Sequence, residues 1–128
     1  MKAQSLHPWN VTPKEAARIQ RRLRDRLVLD DDSGTVRLVA GADIALDRRE
    51  KRGFAAVVVY ALPGLEEVER ATAACPLAFP YVPGLLAFRE GPVLLAAFER
   101  LHCRPDLLLF DAHGYAHPRR MGLACHLG

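Results

Sequence analysis

Three acidic residues stand where solubility alone does not explain a carboxylate. Asp111 follows Leu107-Leu108-Leu109-Phe110 directly. A charge at the end of so apolar a run needs a partner, because burying it alone is costly. In open α/β sheets, ligands sit beyond the carboxyl ends of strands, and Asp111 falls there. A cap for the following loop accounts for it equally well. Asp43 interrupts Val39-Ala40-Gly41-Ala42-Asp43-Ile44-Ala45, and acids are disfavoured within strands. Gly41 and Ala42 leave room there for a ligand or another chain. The solvent face of an edge strand is the simpler account. Glu90 lies in Phe88-Arg89-Glu90-Gly91-Pro92, at an expected helix start, where the helix dipole favours a carboxylate. Together they supply one acid from a strand, one from a helix start and one from a strand end. Carboxylates suit hard cations such as Mg²⁺, which bind phosphate oxygens. Paired metals activate a water and stabilise the leaving oxygen in phosphodiester cleavage.

Other side chains cluster around these acids. His113 and His117 follow Asp111 at i, i+4 spacing, with Cys125 and His126 nearby. That pattern admits a zinc site, but Gly114 and Pro118 argue against one helix carrying both imidazoles, and there is no CxxC pair. A histidine serving a metal-bound water as proton carrier, or touching a phosphate, fits better. Pro80-Tyr81-Val82-Pro83-Gly84 holds an aromatic ring between two stiffening prolines. Tyr81 is either a core residue or a ring pushed into a base stack, as proteins that act on bases must open that stack.

The elements that would position these residues read as follows. Thr12-Pro13-Lys14-Glu15 predicts a helix start with a capping box, and Ile19, Leu23 and Leu27 continue an apolar stripe to about Leu29. An acidic turn, Asp30-Asp31-Asp32-Ser33-Gly34, follows. Strands are expected over 35–45, 54–61 and 67–77, joined by short polar turns and hence antiparallel. A helix is expected from Pro92 to about Cys103, stopped by Arg104-Pro105. The run Leu107 to Phe110 does not alternate, which predicts a strand buried on both faces, as in parallel pairing. The result is an α/β domain with a mixed sheet.

The chain has 128 residues, 50% apolar and 26% charged, enough for one compact domain with a real core. No apolar run approaches the roughly 18 residues of a membrane helix, and the start lacks a secretory pattern, so a cytoplasmic location is expected. Cys75, Cys103 and Cys125 fit reduced, buried thiols better than disulfides. The net charge of +3 permits an anionic partner without demanding one. Arg18, Arg21, Arg22, Arg24 and Arg26 crowd the first helix, and Arg119-Arg120 form a smaller cluster. Taken alone, the first cluster reads as a solvated helix face.

Three blocks resemble endonuclease V. They are Leu38-Val39-Ala40-Gly41-Ala42-Asp43; Pro80-Tyr81-Val82-Pro83-Gly84-Leu85-Leu86-Ala87-Phe88-Arg89-Glu90; and Pro105-Asp106 through Asp111-Ala112-His113-Gly114-Tyr115-Ala116-His117-Pro118-Arg119-Arg120. They occur in order and span almost the whole chain. The resemblance implies a ribonuclease H-like mixed sheet, with three antiparallel strands, then a helix and a parallel strand, incomplete at its C-terminus. It divides 1–128 into an N-terminal helix region (1–30), a meander (35–77) and a wedge loop, helix, buried strand and catalytic loop (78–128). It implies Mg²⁺-dependent repair of deaminated adenine, with Mn²⁺ able to substitute. DNA containing deoxyinosine, or inosine-containing RNA, would be the partner, cut at the second phosphodiester bond 3′ to the lesion to leave 3′-hydroxyl and 5′-phosphate ends. A monomer and no membrane partner are expected. Asp43 and Asp111 would hold the metal, joined by Glu90. Tyr81 would be the wedge, and His117 would sit near the scissile phosphate as a catalytic residue beside Glu90. Pro83, Gly84, Leu85, Arg89, His113, Gly114 and Arg119 would contact DNA or line the base pocket. The family usually has glycine where Ala112 stands and serine where Cys125 stands. It also continues past Gly128 with a further strand, a lysine-bearing segment and a late acid or histidine. The chain is therefore expected to be an N-terminal part, with a nucleic-acid-binding relic as the alternative to an active enzyme.

Overall fold

The computed structural model describes residues 1–30 and 34–128. In chain order the elements are α1 (Pro13–Arg24), β1 (Leu38–Asp47), β2 (Arg52–Ala61), β3 (Glu66–Pro76), α2 (Leu86–Phe98), β4 (Leu107–Phe110) and α3 (Leu123–Leu127). The four strands form one mixed sheet in the order β3-β2-β1-β4. β1, β2 and β3 pair antiparallel, and β4 pairs parallel to β1 after the crossover through α2. This is the mixed α/β sheet the sequence predicts.

Alternation builds the core. Ala40 and Ala42 of β1, Ala55, Val57 and Val59 of β2, and Ala71 and Ala73 of β3 all point to one face. Register sets them side by side: Ala42 opposite Val57, and Val57 opposite Ala71. These small residues let α2 approach closely and bury Val93, Leu94, Ala97 and Phe98 against the sheet. Val93, Leu94 and Phe98 each contribute about 1.5–3 kcal/mol by this burial. Glu69 of β3 accepts the backbone N–H groups of His102 (2.8 Å) and Cys103 (2.9 Å), tying the turn after α2 to the sheet. A second cluster packs α1, through Ala16, Ile19 and Leu23, onto Phe79, Leu85, Phe88 and Met121.

Several boundaries differ from expectation. The α1 capping box is present, with Thr12 Oγ1 accepting from the Glu15 N–H and Glu15 accepting from the Thr12 N–H. The helix stops at Arg24; Leu27 still packs on the second cluster, whereas Val28 and Leu29 are 79% and 65% exposed. Part of the acidic turn, Asp31-Asp32-Ser33, lies outside the described residues. α2 begins at Leu86 and runs through Pro92, so Glu90 stands in its second turn and owes nothing to a helix start. β4 is an edge strand with one face uncovered: Leu107 and Leu109 are 41% and 57% exposed, whereas Leu108 and Phe110 pack on the core. The expectation of burial on both faces is thereby overturned. α3, only five residues long, was not anticipated. The three cysteines are free but only half-buried.

Candidate active site

The parallel pair β1/β4 brings two of the acids together. Asp106 sets its register: its Oδ2 accepts the backbone N–H groups of Arg37 and Leu38, both at 2.9 Å, and its own N–H donates to the Leu38 carbonyl at 2.9 Å. Pairing then runs from Val39–Leu107 to Ala42–Phe110. Asp43 and Asp111 are the next residues on each strand. By strand alternation both belong to the face of Gly41 and Leu109, opposite the α2 core, and both are exposed. β1 is an interior strand, so Asp43 is not on a sheet edge. Its Oδ1 accepts from the Ile44 N–H at 2.8 Å.

Glu90 joins them electrostatically. It is half-buried, and burial first, then the negative charge of Asp43, push its carboxyl above the usual range; Arg89 works in the opposite direction. Desolvation and a like charge both disfavour the carboxylate. Among the described residues, no group of three or more His, Cys, Asp or Glu side chains stands close enough to hold a metal ion. What exists is a strand-end pair with a third acid coupled to it. The donors are all hard oxygens carrying like charge, a set whose repulsion a divalent cation relieves, so the residues fit Mg²⁺ in chemistry. Among the described residues no three histidine or cysteine side chains gather as zinc ligands; His126 meets His7, Nε2 to Nε2 at 2.6 Å, beside the rings of Trp9 and Phe88.

Beside the acids, the loop between Phe79 and Leu85 is clamped at both feet. At one foot, Arg89 NH1 donates to the Phe79 carbonyl at 2.8 Å, which turns this arginine inward, with its Nε buried and without a partner among the described residues. At the other, the Gly84 carbonyl accepts three donors: His117 Nε2 at 2.7 Å, Gln20 Nε2 at 2.9 Å and Arg119 NH2 at 3.0 Å. Gly84 has φ +82°, a backbone conformation that favours glycine, and a Cβ there would lie 2.8 Å from Arg119 NH2, the end of a side chain that would have to shift. Between the feet, Tyr81 is 72% exposed, held out from the body rather than buried as a core tyrosine. Leu85 is buried and its N–H closes onto the Val82 carbonyl at 3.0 Å.

His117 is fully engaged. Its Nε2 faces a carbonyl and must donate, and its Nδ1 accepts from the backbone N–H groups of Arg119 (3.0 Å) and Met121 (3.3 Å). The ring is therefore neutral, with the proton on Nε2 and neither nitrogen free. Its loop folds back at Gly122, whose N–H donates to the Gly114 carbonyl at 2.9 Å. A Cβ on Gly122 would run into the carbonyls of His113 and Gly114. Between the two loops lies a cavity of about 240 Å³, walled by Tyr81, Pro83, Gly84, Ala87, His113 and His117. It is smaller than the roughly 300–1,000 Å³ of pockets for drug-sized ligands and suits one flat heterocycle.

Gln20 escaped the sequence reading. It is 1% exposed, sits on the buried side of α1 with Ala16, Ile19 and Leu23, and accepts from Arg119 Nε at 2.6 Å as well as donating to Gly84. A polar residue on an apolar helix stripe was the available signal. α1 also brings charge: Arg119 is held below its usual pKa by burial and then by the charge of Arg21. Arg21 of α1 thus approaches the Gly84–Arg119 corner, and Arg120 lies over the Tyr115 ring, 4.9 Å from its centre.

The Endonuclease V family profile matches residues 21–128. The Endonuclease V of Myxococcus xanthus is 52% identical over 121 residues, which cover 94% of this chain and 52% of that protein. The crystal structure of the Endonuclease V from Streptomyces avermitilis superposes with a TM-score of 0.89 at 44% identity, covering 100% of this chain and 57% of that one. A Ciona intestinalis Endonuclease V, in complex with a 24mer DNA containing an inosine followed by a ribo-adenosine, superposes with a TM-score of 0.81 at 28% identity, covering 90% of this chain and 52% of that one. The chain spans about half the length of the curated relatives it matches.

Proposed function

The chain belongs to the Endonuclease V family, and from that premise we propose that it serves in the cytoplasm as a Mg²⁺-dependent DNA repair endonuclease. It recognises hypoxanthine and hydrolyses the second phosphodiester bond on the 3′ side, leaving 3′-hydroxyl and 5′-phosphate ends. The observation that carries the reading is the side-by-side exit of Asp43 and Asp111 from the β1/β4 ladder, with Glu90 repelled by Asp43. The inosine-containing DNA bound by the Ciona relative supports the partner.

Asp43 and Asp111 would hold the ion, with Glu90 completing its negative surroundings. When bound, Mg²⁺ supplies charge neutralisation at the phosphate and acidifies a water nucleophile. Tyr81, on a loop clamped at Phe79 and Gly84, fills the stack left by the extruded nucleotide. The rigid feet matter because a wedge that gave way would not hold the stack open. The extruded base occupies the cavity beside Gly84 and His113. His117 is a positioning residue in this scheme: with both nitrogens engaged it fixes the Gly84 carbonyl and the following loop instead of carrying protons. Arg89 braces the other foot, and Arg119 with the arginines of α1 lines the approach for the phosphate backbone.

A second reading, nucleic-acid binding without cleavage, is favoured by one observation: three metal-ligating side chains do not converge among the described residues. Incubation with a 5′-labelled duplex carrying a single hypoxanthine separates the two. The enzyme reading requires a Mg²⁺-dependent nick at the second 3′ phosphodiester with a ligatable 3′-hydroxyl. Retention of the duplex on a filter with no nick at any Mg²⁺ concentration establishes the second.

A further inference from the structure

Gln20 reaches across to the Gly84 carbonyl from α1, 64 residues away in sequence. Its amide has one possible orientation, since the Gly84 carbonyl only accepts and the Arg119 guanidinium only donates. The carboxamide therefore bridges the foot of the Tyr81 loop to the loop carrying His117 and Arg119. A buried amide is costly unless both ends are satisfied, and an apolar side chain would serve the packing of α1 better. Both of its ends are spent on the two loops that wall the cavity, which Gln20 itself helps to line.

We propose that Gln20 is a positioning residue that anchors the Gly84 and Arg119 loops to α1, and through that anchoring sets the preference for a hypoxanthine-bearing strand over an undamaged one. The proposal rests on the lesion-pocket reading above for the identity of the ligand, not for the anchoring itself. Arg119 and His117 hold the same carbonyl from the catalytic-loop side; Gln20 alone holds it from α1. Without that third donor, the carbonyl keeps two partners from a single loop, and the two walls can slide together relative to the helix.

Two variants test this. Gln20→Glu keeps size and the Arg119 partner but turns an oxygen toward the Gly84 carbonyl. Gln20→Met keeps volume and removes both bonds. Two readouts are taken: amide hydrogen exchange of the Pro80–Leu85 segment in the free protein, and the ratio of dissociation constants for a hypoxanthine duplex and its adenine counterpart in Ca²⁺. With Tm held within a few degrees, loop exchange rises and the duplex ratio falls, each by about tenfold, the equivalent of one hydrogen bond of about 1.4 kcal/mol. Unchanged loop exchange in both variants overturns the proposal, as does exchange that rises uniformly over the whole chain. Failure of both variants to fold also overturns it, because a loop-positioning residue leaves the fold intact. If the unaltered protein binds both duplexes equally, the lesion-pocket reading falls while loop exchange still decides the role of Gln20.

Discussion

The His7–His126 pair makes stability depend on mild acid in a calculable way. His126 is 7% exposed, stacks on Trp9 and touches His7 across 2.6 Å. Burial first, then the charge of His7, lower its pKa from 6.5 to about 4. In the unfolded chain the imidazole takes up its proton near 6.5, but in the folded protein it stays neutral down to about 4. The unfolded state therefore binds more protons across this window, and stability falls as pH falls from 6.5 toward 4. At about 1.36 kcal/mol per unit the full loss is roughly 3 kcal/mol, and roughly 2 kcal/mol of it is reached by pH 5. Urea unfolding of wild type and His126→Gln between pH 7.5 and 5 measures it. The variant starts less stable at pH 7.5, since it loses the ring stack, but declines about 2 kcal/mol less over the interval. Parallel pH profiles for the two proteins, within about 0.5 kcal/mol, would refute the reasoning. His7 and Trp9 pack on Phe88 of α2 and His126 of α3, so the same window governs how firmly these two N-terminal rings are docked.

Two further perturbations follow from the site. Gly84→Ala forces a side chain into φ +82° and against Arg119; it costs about 1–2 kcal/mol in urea unfolding, and it lowers discrimination between hypoxanthine and adenine duplexes. A full-strength duplex preference in that variant would separate the loop from the lesion. Asp43→Asn leaves the burial that chiefly raises the Glu90 carboxyl but removes the like charge that adds to it, so Glu90 moves part of the way toward its ordinary range and metal-free stability does not fall. Mg²⁺ at ten times its Kd stabilises the wild type by about 1.4 kcal/mol, and thermal melts of the variant lose that increment. An equal Mg²⁺ response in both proteins would place the ion elsewhere.

Much of this was legible in the sequence because the signals were local. Thr12-Pro13-Lys14-Glu15 carries its own capping box, and the β-rich run Val57-Val58-Val59-Tyr60 marks β2. The acids were legible as oddities of strand and helix. Failures came where a local signal was missing or misleading. α2 begins at Leu86 behind Leu85, which makes no side-chain cap, so Pro92 looked like the first helical residue although it sits inside. Leu107-Leu108-Leu109-Phe110 reads alike whether one face or two are covered, and only the edge position of β4 decides. The clamps on Gly84 and the His7–His126 contact join residues 33 to 119 positions apart, a distance over which periodicity carries no information.

The central claim is that Asp43 and Asp111 form one metal-holding pair at the end of the β1/β4 ladder. The most direct measurement compares wild type, Asp43→Ala and Asp111→Ala for Mg²⁺-dependent nicking of a hypoxanthine duplex, with circular dichroism to confirm folding. The account predicts a nick at the second 3′ phosphodiester from the wild type and loss of at least about 100-fold in each folded variant, the scale of losing a group on which transition-state charge depends. Nicking that persists in either variant would contradict it.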